Sequence, residues 1–206
     1  MRTFLFLLIH IFKKVAFKIS DNFYQFYNIE YLRWKGAKVG NNCRINCKIS
    51  FSLPRGVNLE IGDNFICRSG FQRHILGEEV SSINVYNFSG GVKIGHNTGM
   101  SATNINCSES ISIGNHVMIG AGCLITDSDH HSIDWKVRCL LGDTDKKTAP
   151  IVIEDYVFIG ARSIILKGVT IGEKSIVAAG SVVVKNIPSG EMWGGNPAKF
   201  IKKIGD

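Results

Sequence analysis

Aliphatic residues recur at every sixth position through the second half of the chain: Ile153, Ile159, Ile165, Ile171, Val177 and Val183. A small residue follows several of them directly, as at Gly160, Gly172 and Ala178. A helix face repeats near 3.6 and a strand near 2, so a beat of six fits neither alone. It fits short strands joined by corners, with one inward aliphatic per corner and a small residue where the backbone turns. Three such steps close a coil of about 18 residues, and such coils must stack to bury their faces. The pattern predicts an all-β solenoid, a parallel β-helix.

The same beat is present earlier. It runs through Val39, Ile45 and Phe51, resumes at Ile61 and Cys67, restarts at Ile94 and Met100, and continues through Ile113, Ile119 and Ile125. It weakens between Phe71 and Phe88, where RHILGEEVSS reads as a looped-out or irregular coil. After Ile125 the next step falls on His131, and Ile153 follows 22 residues later instead of six. The intervening segment is polar and charged at its centre, as expected of a loop expelled from a packed solenoid, and such loops often carry the site. The chain therefore divides into an N-terminal helical piece (1–36), a β-helix (37–188) with an excursion at 132–150, and a basic C-terminal tail or short helix (189–206).

Residues 1–36 follow a different rule. Phe4, Leu8, Ile11, Val15 and Ile19 stand three to four apart, and six basic residues (Arg2, Lys13, Lys14, Lys18, Arg33, Lys35) meet only Asp21 and Glu30. The apolar run TFLFLLIHIF is too short to span a bilayer. No small-residue cleavage site follows it, so it reads as a retained helix and the protein as cytoplasmic. Two uses suit a basic amphipathic helix: packing on its own solenoid or a neighbouring subunit, or peripheral contact with an anionic membrane surface through residues 1–20.

Composition narrows the partners. With 206 residues, 45% hydrophobic, the chain can bury a sizeable core, and 22 Gly against 4 Pro suit many tight corners. A net charge of +7 favours anionic partners, but no nucleic-acid motif accompanies it. The six cysteines form no C-x-x-C and read as buried thiols.

The candidate chemistry lies in ITDSDHHSID, where the regular coil gives way to the excursion. Imidazole beside carboxylates suits a general base at neutral pH. His130 and His131 are both candidates, with Asp129 or Asp134 available to fix the ring. A catalytic zinc site is the alternative, since His96, His116 and His131 could supply three ligands with an open fourth position. A non-catalytic scaffold is a further alternative.

Taken together, the hexads, ITDSDHHSID, the run PIVIEDYVFIGARSIILKGVTIGEKSIVAAGSVVVKNIP and the ending GGNPAKFI resemble the hexapeptide-repeat acyltransferases. The similarity is strongest to the maltose/galactoside O-acetyltransferase branch, which includes sugar O-acetyltransferases of surface-polysaccharide synthesis. It covers about Ile94 to Lys202. It implies a left-handed β-helix, a homotrimer, acetyl-CoA bound between subunits, a sugar or saccharide acceptor, and no catalytic metal. The resemblance assigns the base to His131, the acceptor side to Asn104 with Asp134 as an acidic candidate, and the oxyanion N–H to Ala161. CoA would meet Ala161, Ala179, Lys185, Lys199 and Lys202. Phe158 stands where the family often has Trp, and Ala161 where some members have Ser. The γ-carbonic anhydrases share this fold and represent the metal alternative.

Overall fold

The computed structural model describes residues 2–70, 79–87 and 89–205. Its body is a three-sided parallel β-helix. The first face stacks Lys38–Val39, Asn58–Ile61, Gly91–Ile94, Ser110–Ile113, Ile151–Ile153 and Thr170–Ile171. The second stacks Ile66–Arg68, Gly99–Ser101, Met118–Ile119, Phe158–Ile159, Ile176–Val177 and Glu191–Gly194. The third stacks Ile49–Ser52, Ser81–Val85, Asn104–Cys107, Leu124–Thr126, Ile164–Ile165 and Val182–Val183. Every pairing within the coils is parallel and in register, as in Met118↔Phe158↔Ile176.

The six-residue beat is the core. Ile153, Ile159, Ile165, Ile171, Val177 and Val183 are at most 1% exposed and stack along the axis of the prism. Outward positions alternate with them, which is the period-two consequence of strand geometry.

The corners explain the small residues. At the turn from first to second face the chain adopts positive φ at the same place in each coil, at Asn42, Asn64, Asn97, His116, Tyr156 and Lys174. Asn tolerates this left-handed conformation well, whereas Tyr and Lys need the surrounding stack to hold it. Neighbouring coils touch backbone to backbone there. A Cβ on Gly114 would meet the Asp155 nitrogen at 2.8 Å, and at the next corner, from second to third face, a Cβ on Gly160 would meet the Ala179 nitrogen at 2.5 Å.

Both ends are covered. Helix α1 (Arg2–Trp34) closes the first coil through its C-terminal half. Leu32 is fully buried, and the Asn28 amide donates to the Ile45 and Cys47 carbonyls at 2.7 and 2.9 Å. Gln25 donates to the Cys43 carbonyl and accepts from the Ile45 N–H. At the other end the tail is neither free nor helical: Lys199–Lys203 pairs antiparallel with Glu191–Gly194. The strand former Phe200-Ile201 and the turn at GGNP decide this against the expected helix.

The irregular segment is also shorter than its sequence suggests. Ser81–Val85 is a full strand in register with Ile49–Ser52 and Asn104–Cys107. Residues 71–78 of the expected loop lie outside the described residues, as do the Phe4 and Leu8 side chains of the apolar line. The excursion leaves the coil at Asp127, earlier than hexad counting placed the corner. It carries a short helix, α2 (Trp135–Leu140), capped by Asp134, whose Oδ1 accepts from the Lys136 N–H at 2.8 Å.

Candidate functional site

The base of the excursion is anchored by a buried carboxylate. Asp127 is fully buried and accepts from the backbone N–H groups of Ser108, Glu109 and Ser110 at 2.7, 2.8 and 2.8 Å. Three N–H donors in a row are what a buried carboxylate requires. Asp127 and Ala149 also bond through their backbones, as do Asp129 and Lys147, so the two arms of the excursion form a narrow neck. An ion pair between Lys167 and Asp129 ties that neck to the next coil.

This neck presents the two histidines differently. His131 Nδ1 lies 2.6 Å from Asp143 Oδ2, while Asp143 Oδ1 accepts from the Ser132 N–H at 2.7 Å. A carboxylate can only accept, so in the neutral ring Nδ1 carries the hydrogen and Nε2 is left as a free lone pair. Nε2 has no hydrogen-bond partner among the described residues, and the side chain is 69% exposed. The Ser132 N–H, then His131, hold the Asp143 carboxyl below the ordinary carboxylate range. His130 faces the other way. Its Nε2 lies 2.9 Å from Thr126 Oγ1, its backbone has φ +60, and its ring meets Tyr86 edge-on at 5.7 Å. His130 locks the neck, and His131 offers the free nitrogen.

The ring partner is not one of the two aspartates that sequence proximity suggests. Asp129 is held by Lys167 and Asp134 caps α2. Asp143 arrives from twelve residues downstream, turned inward at φ +56 just after Gly142. Arg138 fixes the same turn by donating to the Ser132 carbonyl at 2.6 Å. The one signal for Asp143 in the sequence was a Gly-Asp pair closing a short helix, which is also what an ordinary turn looks like.

The remaining candidates lie elsewhere on the prism. Asn104 opens its third-face strand, and its Oδ1 accepts from Ser82 Oγ at 2.8 Å. Asn106 accepts from the Asn84 amide at 2.7 Å and from the Tyr86 hydroxyl at 3.2 Å. Ser82, Asn84, Asn104 and Asn106 thus form a polar patch on the outside of the third face. Ala161 and Ala179 occupy successive levels of the corner between second and third faces, and neither backbone N–H has a partner among the described residues. Lys185 is exposed just after the last third-face strand; Lys199 and Lys202 are exposed on the antiparallel tail strand. Trp193 packs against the core and donates to Glu191 at 2.8 Å, so it covers the end of the coil. Phe158 projects from the second face beside Met118, and both are exposed.

Within one protomer these groups do not form a single site. Ala161 and Ala179 precede the third face, whereas His131 follows it, so they stand at its opposite edges. His96 and His116 sit at the remaining corner. His96 pairs with Asp63 and His116 stacks on Tyr156 at 5.0 Å. Among the described residues no three His, Cys, Asp or Glu side chains converge on a common point.

Comparison with known proteins agrees with this architecture. A family model described as the hexapeptide repeat of succinyl-transferase matches residues 150–185. A Schizosaccharomyces pombe protein named as an acetyltransferase is 44% identical over 94 residues, 46% of this chain and 44% of its own. The mitochondrial gamma carbonic anhydrase 2 of Arabidopsis thaliana is 41% identical over 105 residues, 45% of this chain and 38% of its own. The chain thus spans less than half the length of these curated relatives. A crystal structure of a Vibrio cholerae hexapeptide-repeat acetyltransferase complexed with acetyl-CoA superposes with a TM-score of 0.54 at 27% identity, covering 85% of this chain and 74% of that one. The stacked hexads and three parallel faces make the chain a hexapeptide-repeat β-helix, similar in fold to the solved hexapeptide-repeat acetyltransferases.

Proposed function

We propose that the protein is an acetyl-CoA-dependent O-acetyltransferase acting on a sugar or saccharide hydroxyl. The observation that carries this reading is the His131–Asp143 pair, which leaves an unoccupied imidazole nitrogen at the neck of the excursion. His131 Nε2 takes the proton of the acceptor hydroxyl as its oxygen attacks the thioester carbonyl. The tetrahedral oxyanion needs N–H donors in place, and the Ala161 N–H serves as one. Collapse expels the CoA thiolate, which recovers the proton from the imidazolium. Asp143 holds the tautomer and balances the charge of the protonated ring.

That the Ala161 and His131 corners lie at opposite edges of the third face supports an active site completed by a second copy, and the homotrimer that the resemblance implies would supply that copy. CoA lies along the corner of Ala161 and Ala179, with Lys185, Lys199 and Lys202 meeting its phosphates as cations. The acceptor side uses Asn104 and the neighbouring Ser82, Asn84 and Asn106, a hydroxyl and amide set matched to a polyol. Asp134 is occupied as a helix cap and contributes there only if the cap opens.

A second reading, a metal-dependent lyase, is favoured by the likeness to the gamma carbonic anhydrase. It would require His131 of one copy to approach His96 and His116 of another. The test is CoA-thiol release from acetyl-CoA across a panel of mono- and oligosaccharides, with metal content measured on the same sample. Acceptor-dependent release from metal-free protein supports acetyl transfer. Stoichiometric zinc, lost in His131→Ala, with no thiol release would overturn it.

A further inference from the structure

The N-terminal helix is anchored to the prism by its C-terminal half, from Asp21, whose carboxylate accepts from the Asn46 amide at 3.2 Å, to the buried Leu32. Residues 10–19 are exposed on every side. Along α1, Phe12, Val15, Ile19, Phe23 and Phe26 follow the three-to-four spacing of one helix face. All five are exposed, Phe12 and Phe26 by 74% and 72%. The residues that grip the first coil, Asn28 and Leu32, lie on the other side of the helix. The apolar stripe is therefore not the face that packs on this protein's own core. It runs about 21 Å at the helical rise per residue. A contiguous exposed apolar strip of this size marks an interaction surface.

Charge decides the occupant. Lys13 and Lys18 stand about a third of a turn to either side of the stripe, with Lys14 behind it, and residues 2–20 contain no acid. An apolar, Phe-rich face bordered by lysines matches a bilayer interface whose headgroups are anionic. No helix among the described residues is long and apolar enough to cross a membrane. We propose that α1 lies in the plane of an anionic membrane surface, stripe inward, and holds the catalytic prism against it. A second copy of the chain offers the stripe apolar contact but gives the flanking lysines no complementary role.

The test is co-sedimentation of the full chain with vesicles of phosphatidylcholine alone or mixed with phosphatidylglycerol, at low and high salt. The expected result is binding to the anionic vesicles, weakened by salt. Phe12→Ser/Phe23→Ser/Phe26→Ser should weaken it at least tenfold, and Lys13→Ala/Lys14→Ala/Lys18→Ala should remove its preference for phosphatidylglycerol. All six residues are exposed, and sedimentation velocity of each variant checks that the assembly is retained. Failure of the unaltered chain to bind anionic vesicles would overturn the proposal. So would a stripe variant that falls apart into smaller species while still binding vesicles, which would give the stripe to a second copy.

Discussion

Two adjacent imidazoles with the same neighbours in sequence have opposite fates. His130 spends its Nε2 on Thr126, and His131 keeps its Nε2 open because Asp143 takes its Nδ1. Sequence spacing narrowed the base to this pair but could not see Asp143, whose approach depends on how a twelve-residue loop closes. Asp143→Asn should lower turnover at least about tenfold, since an amide no longer favours one tautomer. A pH effect follows from the same contact. The folded carboxyl titrates below its unfolded value of about 3.9, so its stabilising contribution is present above that value and lost as pH falls through the lower, folded one. Limited proteolysis should find the excursion of the unaltered protein protected at pH 5 and increasingly open as pH falls below the ordinary Asp value of about 3.9 and through the lower, folded one. In Asp143→Asn it should be open at both.

At the scale of the element, the hexads were legible because the two-residue strands of the last coils each bury a single side chain, so one aliphatic per face is the whole message there. The corners were legible for a related reason: a side chain there would strike the next coil. Gly160→Ala should destabilise the protein by about 1–3 kcal/mol, measured by urea unfolding, because its Cβ would meet backbone at Ala179 rather than a movable side chain. The same substitution should weaken acetyl-CoA binding by displacing the Ala179 amide. The tail was misread for a physical reason. AKFIKKI has a helix-like scatter of charge, but an unpaired strand edge at Glu191–Gly194 was waiting for a partner, and pairing outweighs propensity. Ser81–Val85 was obscured because Ser and Asn stand on its outward face.

For the whole molecule, the solenoid was readable from one sequence because each coil contacts only its neighbours and repeats the same solution. How coils from different copies meet is written in no single coil. Phe158 and Met118 on the second face, and the split of candidate groups across the third, speak to that question only through geometry. Sedimentation equilibrium should give three protomers of 22.7 kDa each; a monomer with full activity would require the third face to carry the whole site alone. The central claim is the role of His131, and the most direct test compares His131→Ala with His130→Ala in acetyl-CoA-dependent acetylation of the best saccharide acceptor. The account predicts that His131→Ala lowers kcat by about 10²–10⁴ with acetyl-CoA affinity nearly unchanged, while His130→Ala loses stability first and turnover less. Undiminished turnover in His131→Ala, or the larger kcat loss in a folded His130→Ala, would contradict it.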